Sequence, residues 1–265
     1  MAVRNLLGVP FESDVAAAYR NQFPNEMVAD AETGAIAFRY GAQENETISV
    51  QEIVAMQLRH AQQLVKESEG VVVRDAVLTV PSFFDRSQRQ AMLEAAELAG
   101  LRTLALVNDG SAVALNYAMN REFAKPERHL FYDMGAGKTV ATVARFSVRQ
   151  ESKSRRAKKS TVISVQSFAS DAMLGGQEID FVVREMLIGQ FAAQAGVAAE
   201  EVRGSARAMS RLLKEAKRVK TILSANVEAV ASVEGVHNGI DLRAHITRGE
   251  LEAATAQLVS RIRTP

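Results

Sequence analysis

Between Asp75 and Met119 the chain passes twice from a short apolar run into a helical pattern, and that order restricts its possible folds more than any other feature. Asp75 to Val80 is an apolar run ended by Pro81; Asp85 then opens a helix with Met92, Leu93, Ala96 and Ala99 along one side, and Gly100 stops it. Thr103 to Val107 reads as a second buried strand. Ser111 to Met119 reads as a second helix, made of small residues that permit close packing on a sheet. Two strands joined by a helical crossover imply parallel pairing, and hence an α/β fold.

The pattern then changes. His129 to Tyr132, Thr139 to Phe146 and Thr161 to Phe168 form a meander, joined first by a glycine turn and then by a basic loop. Upstream, Met27 to Tyr40 reads as a hairpin around Glu32-Thr33-Gly34. Ser49 with Glu52 forms a capping box, and Ile53, Met56, Leu58 and Leu64 give the following helix an apolar face to about Val65. From Gly175 the chain is helical, with Ile179, Val182, Val183, Met186, Leu187 and Phe191 at helical spacing, and a strongly basic helix follows from about Ala206 to Leu223. A strand pair, Val227 to Val233 and Asp241 to Ile246, precedes a last helix capped by Thr247 with Glu250.

Composition removes several function classes. Lys plus Arg number 32 against 31 Asp plus Glu, so the net charge of +1 exerts no global pull toward nucleic acid or membrane. The lack of cysteine excludes disulfides, thiol nucleophiles and Cys-based zinc sites, and the four histidines lack metal-ligand spacing. MAVRNLLGVPFES has the features of neither a signal peptide nor an anchor, and no apolar stretch is long enough to span a bilayer, so a soluble chain with no membrane partner is expected. The basic segment Arg149 to Ser160 lacks the interleaved aromatics that stack on bases; a solvated hairpin loop fits it better than a nucleic-acid surface. The Asn45-Glu-Thr sequon reads as a chance triplet.

The segment that best suggests chemistry is Asp133-Met134-Gly135-Ala136-Gly137-Lys138-Thr139, an acid at a strand end followed by a turn of small residues and another strand. Such a turn lets backbone N–H groups approach phosphate oxygens, while Asp133 could hold Mg²⁺ through water. A tight β-hairpin needs glycines for conformational reasons, and from the turn alone the two readings stand level.

The run VLTVPSFFDRSQRQAMLEAAELAGLRTLALVNDGSAVALNYAMNR, the Asp133 turn, Met173-Leu174-Gly175-Gly176-Gln177-Glu178, KEAKRVKTILSA and ITRGELEAA together resemble the heat shock protein 70 superfamily in order and spacing, over almost the whole chain. FYDMGAGKT, LVNDGSAVAL and RVKTILSAN look closest to its large, hypoxia-up-regulated branch of the endoplasmic reticulum. The resemblance implies part of an actin-like ATPase fold, with two lobes around a nucleotide cleft. It divides the chain into a peripheral piece (1–69), a core subdomain of the first lobe (70–125), a core subdomain of the second (126–174) and a helical peripheral part (175–265). It implies ATP or ADP with Mg²⁺: phosphates on Gly135, Ala136, Gly137 and Lys138, the metal held by Asp133 through water, and adenosine beside Gly176, Lys217, Lys220, Thr221 and Ser224. Asp109 becomes the catalytic carboxylate that orients water, where the bare sequence reads it as a helix cap. Lys217 and Lys220 also fit a solvated helix face, and Gly175-Gly176 a helix start.

The implied partners are a conventional heat-shock-70-type chaperone, for which this branch is a nucleotide-exchange factor, and unfolded clients bound by a domain outside this sequence. The implied compartment is the endoplasmic-reticulum lumen. Competing readings are a different actin-like enzyme such as a sugar kinase, a nucleotide-independent protein-binding scaffold and, last, a nucleic-acid binder using the basic loop. Lys138 stands where most members carry a hydroxyl, Val140 where conventional members carry an acid and Lys217 where they use Glu, so binding is expected more firmly than hydrolysis. In the family a first phosphate hairpin and a catalytic lysine precede RNLLG, and a closing adenosine loop follows RTP. These 265 residues by themselves are therefore expected to be a poor ATPase.

Overall fold

The computed structural model describes residues 3–30, 33–41, 46–150 and 159–262. A short 3-10 turn, Val3–Leu6, leads into α1 (Asp14–Gln22), whose N-cap Ser13 accepts from the Ala16 N–H. β1 (Met27–Ala29), β2 (Ile36–Arg39) and β3 (Thr47–Ser49) form an antiparallel sheet. The expected hairpin is present, with Gly34 in the left-handed region at φ 65°, while Glu32 of its turn lies outside the described residues, as does Asn45. Ser49 and Glu52 close the expected capping box of α2 (Val50–Glu69).

The buried face of α2 differs from the expected one. Val50, Val54 and Ala55 are buried and the expected Ile53 and Leu58 pack partly against the core, whereas Met56 and Leu64 are exposed.

β4 (Asp75–Val80) and β5 (Arg102–Asn108) pair in parallel across α3 (Arg86–Leu98), as the alternation of strand and helix predicts. Asp85 caps α3 in a reciprocal box with Gln88. The expectation of a buried strand at Thr103 to Val107 is corrected: Leu104 is 60% exposed, as is Val77 (58%) on the same open face. Helices cover one face of this two-stranded sheet, where Ala76 and Leu78 pack on Ala96 and Leu101. Leu93, assigned to the core side of α3, is exposed, and Ala95 is buried in its place.

α4 (Asp109–Met119) starts two residues before the expected Ser111. The meander is present as β6 (Glu127–Met134), β7 (Thr139–Gln150) and β8 (Lys159–Asp171), all antiparallel. All three strands run longer than expected, with Arg149 opposite Ser160 at the base of the basic loop; residues 151–158 lie outside the described set. α5 (Gly176–Ala195), the short α6 (Ala199–Arg203) and α7 (Ala206–Ala225) pack with the hairpin β9 (Glu228–His237) and β10 (Ile240–Thr247), and α8 (Arg248–Arg261) ends the described chain.

Phe191, Leu187, Leu212 and Ile246 are fully buried in the helical part. Each such side chain contributes on the order of 1.5–3 kcal/mol through removal from water. A separate core under α1 and α2 reaches Phe181 of α5 and Leu213 of α7. There Phe23 meets Phe181 edge to face at 5.5 Å, and the buried Arg184 donates to the Gln22 carbonyl at 2.6 Å. These contacts fasten α5 to the C-terminal end of α1.

Candidate functional site

The β6–β7 connection is Gly135 to Lys138, closed by the Gly135 N–H donating to the Lys138 carbonyl at 3.0 Å. The start of α5 lies behind it. The N–H groups of Gly176 and Gln177 donate to the Gly135 and Ala136 carbonyls at 3.0 and 2.7 Å, which satisfies two donors that a helix's first turn would otherwise leave open. Gly175 permits this approach, since a Cβ there would lie 2.6 Å from the Ala136 carbonyl carbon and 2.8 Å from the Gly135 oxygen. The buried Thr139 hydroxyl donates to the Leu174 carbonyl at 2.8 Å and fastens the same junction.

With those carbonyls engaged, the N–H groups of Ala136, Gly137 and Lys138 find no acceptor among the described residues, leaving donors of the kind that bind anions. Gly135 separates the two readings of the turn. It is not among the residues in the left-handed region, and a Cβ on it would meet no protein atom closer than 3.8 Å. Neither backbone conformation nor packing demands glycine at 135.

Asp109 occupies the first position of α4, after Asn108 as N-cap. Gly110 lets this helix end sit tightly on β7, because a Cβ there would lie 2.8 Å from Thr142 Cβ. Asp109 Oδ1 accepts from the Gly110 N–H at 2.8 Å and from Ser82 Oγ at 3.4 Å, while Oδ2 forms an ion pair with the Lys138 ammonium. Both side chains are largely buried, at 17% and 13% exposure, and Lys138 Nζ also lies 5.9 Å from the Phe83 ring centre. Burial, then the Arg4 guanidinium, pushes Lys138 down to about 8. Asp109 is therefore not the helix cap that the bare sequence suggests; its carboxylate holds the lysine of the turn.

A cavity of about 490 Å³ opens in front of the turn. Gly135 to Lys138 line it together with Arg4 and Asn5 of the 3-10 turn, Gln57 of α2, Gln177 and Asp180 of α5, and Lys217 of α7. Asp180 is its one carboxylate and is already paired with Lys220 at 2.5 Å. Lys138 is likewise paired with Asp109, so Arg4 and Lys217 leave the cavity positive, as a polyphosphate requires. A smaller cavity of about 200 Å³ borders Gly137 on another side; Tyr19, Phe23, Phe83 and Met173 make it too apolar for phosphate.

Of the expected site residues, Gly135, Ala136, Gly137, Lys138 and Lys217 meet at this cavity. Others do not line it. Gly176 lies behind Ala136, and its carbonyl accepts from Lys220 Nζ at 2.7 Å, so Lys220 is turned inward to Gly176 and Asp180. Thr221 and Ser224 are exposed on α7, their hydroxyls donating to the carbonyls of Lys217 (2.9 Å) and Thr221 (2.6 Å). Asp133 is exposed at the end of β6, opposite the buried Val140.

The set makes a poor cage for a metal. Mg²⁺ takes one or two carboxylates besides phosphate oxygens, and here Asp109 and Asp180 are paired with lysines, which leaves the exposed Asp133. No group of three or more His, Cys, Asp or Glu able to hold a metal occurs among the described residues. The residues present do not fit a Mg²⁺ held by the protein itself.

Sequence reasoning missed Arg4, Asn5, Gln57, Gln177 and Asp180 as lining groups. The one signal for the first of them is an Arg placed just before the buried Leu6 and Leu7, which anchor the 3-10 turn.

The family model described as "Hsp70 protein" matches residues 1–265. Hypoxia up-regulated protein 1 of Mus musculus is 36% identical over 267 residues, covering 99% of this chain and 26% of the relative, and that of Homo sapiens gives the same figures. The Xenopus laevis protein of that name is 37% identical over 266 residues, covering 99% of this chain and 40% of its own length. The chain thus spans about a quarter to two fifths of the length of these relatives. A match along its whole length, with a mixed α/β architecture consistent with the actin-like ATPase fold, shows that the chain belongs to the heat shock protein 70 family.

Proposed function

We propose that these residues bind ATP or ADP with the phosphates on Gly135 to Lys138, as the nucleotide-binding part of a large chaperone of the endoplasmic-reticulum lumen. The observation that carries this reading is Gly135, a glycine required by neither φ nor packing, at the edge of a positive cavity. Lys217 and Arg4 line the same cavity and would complete the polyphosphate site. In this reading Thr221 and Ser224 would contact adenosine from the exposed stripe of α7, and Gly176 and Lys220 would support the turn from behind.

In the whole protein, nucleotide state would govern the binding of unfolded clients by another domain and nucleotide exchange on a conventional heat-shock-70-type partner. The similarity to hypoxia up-regulated protein 1 supports the compartment and the large branch. Hydrolysis is not part of the proposal, because the Asp109 carboxylate is engaged by Lys138. Nor is Mg²⁺ assigned a step, since Asp133 is the carboxylate left for it. The division 1–69, 70–125, 126–174 and 175–265 is proposed with the function; α2 ends at Glu69, β6 begins at Glu127 and α5 at Gly176.

Gly135→Ala tests the reading. The added methyl has room in the protein but intrudes where phosphate would sit, so the melting temperature should stay unchanged while calorimetric ADP affinity falls by about tenfold or more. Unchanged affinity in a folded variant would leave the scaffold reading in its place.

A further inference from the structure

Anionic phosphates in a protein cavity need countercharge, and metal and protein cations can both supply it. Here the protein has placed its own. The Lys138 ammonium lies in the turn itself, largely buried, between the Asp109 carboxylate and the face of Phe83. Its three donors can serve Asp109 and a phosphate oxygen at once. Arg4 and Lys217 add two further cations around the same space.

The carboxylates that a divalent ion would use are instead committed to ammonium groups, Asp109 to Lys138 and Asp180 to Lys220. Across the β6–β7 pair from the exposed Asp133 stands Val140, buried and without a ligating atom. A divalent cation entering between the turn and Asp109 would face the Lys138 ammonium at close range, in a partly desolvated site where repulsion is poorly screened.

We propose that Lys138 is a built-in countercharge that takes over the role of a divalent cation, so that nucleotide binds this cavity nearly as well without metal as with it. This rests on the nucleotide reading above and adds to it the charge state of the bound ligand: free ADP or ATP rather than an obligatory metal complex. Asp109 acts on the ligand only through Lys138 and is a positioning residue.

The test is calorimetric titration of the full-length protein with ADP, once in excess Mg²⁺ and once in EDTA, for the natural protein, Lys138→Ser and Lys138→Arg. The natural protein should change affinity by less than about threefold between the two conditions. Lys138→Ser should bind more weakly and acquire a Mg²⁺ dependence of about tenfold or more, and Lys138→Arg, which keeps the charge, should remain metal-insensitive. A tenfold or greater loss on chelation in the natural protein overturns the inference while leaving the nucleotide site standing. An equal metal response in Lys138→Ser and the natural protein overturns it as well. No ADP binding in either condition removes the nucleotide reading and this inference with it. The natural-protein comparison decides the matter even where a variant fails to fold.

Discussion

Replacing Gly175 by alanine adds one methyl group at the junction between the β6–β7 turn and α5. Glycine is used there for space, since its backbone is fully extended (φ −177°, ψ −178°), a conformation open to any residue. The new Cβ would fall 2.6 Å from the Ala136 carbonyl carbon and 2.8 Å from the Gly135 oxygen, both backbone atoms that cannot swing aside. The turn must move away, and the 3.0 and 2.7 Å hydrogen bonds from Gly176 and Gln177 lengthen with it. Overpacking of this kind costs about 1–3 kcal/mol, and two weakened hydrogen bonds about 0.5–1.5 kcal/mol each, so a loss of roughly 2–6 kcal/mol is expected. Urea unfolding followed by circular dichroism measures it as a fall in midpoint on the order of 1 M at constant slope. Gly189→Ala is the control: it lies within α5 with no atom inside 4 Å of its added Cβ, so it should gain up to about 1 kcal/mol from helix propensity. A Gly175→Ala loss below about 0.5 kcal/mol would refute the steric argument.

Three further outcomes are expected. Lys138 titrates below its ordinary range, at about 8, so the ammonium is full below that pH and lost above it; ADP affinity should fall roughly tenfold from pH 7 to pH 9, while stability rises between 8 and the ordinary lysine value, where the unfolded chain binds the extra proton. Glu215 is held below the usual carboxylate range chiefly by the Arg218 hydrogen bond, against desolvation and with help from the Ser232 N–H. Its contribution is therefore full above that range and lost as pH falls through the lowered value, and Glu215→Ala should cost about 1–3 kcal/mol at neutral pH and progressively less in acid, measured by unfolding at several pH values. Phe191→Ala, at a fully buried site, should cost about 3–5 kcal/mol in the same assay.

What could be read from the sequence was local. Ser49 with Glu52 and Thr247 with Glu250 set helix starts through contacts three residues apart, and the Pro81, Asp85 and Gly100 punctuation marks out the parallel pair. α1 was missed because its DVAAAYRNQ segment carries small residues in place of a periodic apolar face, and β3 because three residues are too few to show alternation. Which face of β4 and β5 is covered depends on elements distant in the chain, so Val77 and Leu104 could not be recognised as exposed. The Gly135 to Lys138 turn between two strands was legible from its own residues. The convergence of Arg4, Gln57, Asp180 and Lys217 on it was not, since no short-range pattern connects positions so far apart. The inward turn of Lys220 likewise depends on Asp180, forty residues earlier in the count and on another helix.

The two hydrogen bonds from α5 to the Gly135 and Ala136 carbonyls make the turn and the helix a single lever. The first donors of that helix are spent on protein, so a ligand in the cavity meets the turn's amides and not the helix end itself. Any tilt of α5 about its packed far end would be transmitted to those amides with little slack, and a ligand that pulls on the turn would tilt α5 in return. Because Phe181 and Arg184 tie the same helix to Phe23 and Gln22, the N-terminal segment would feel that motion within two helical turns of the ligand.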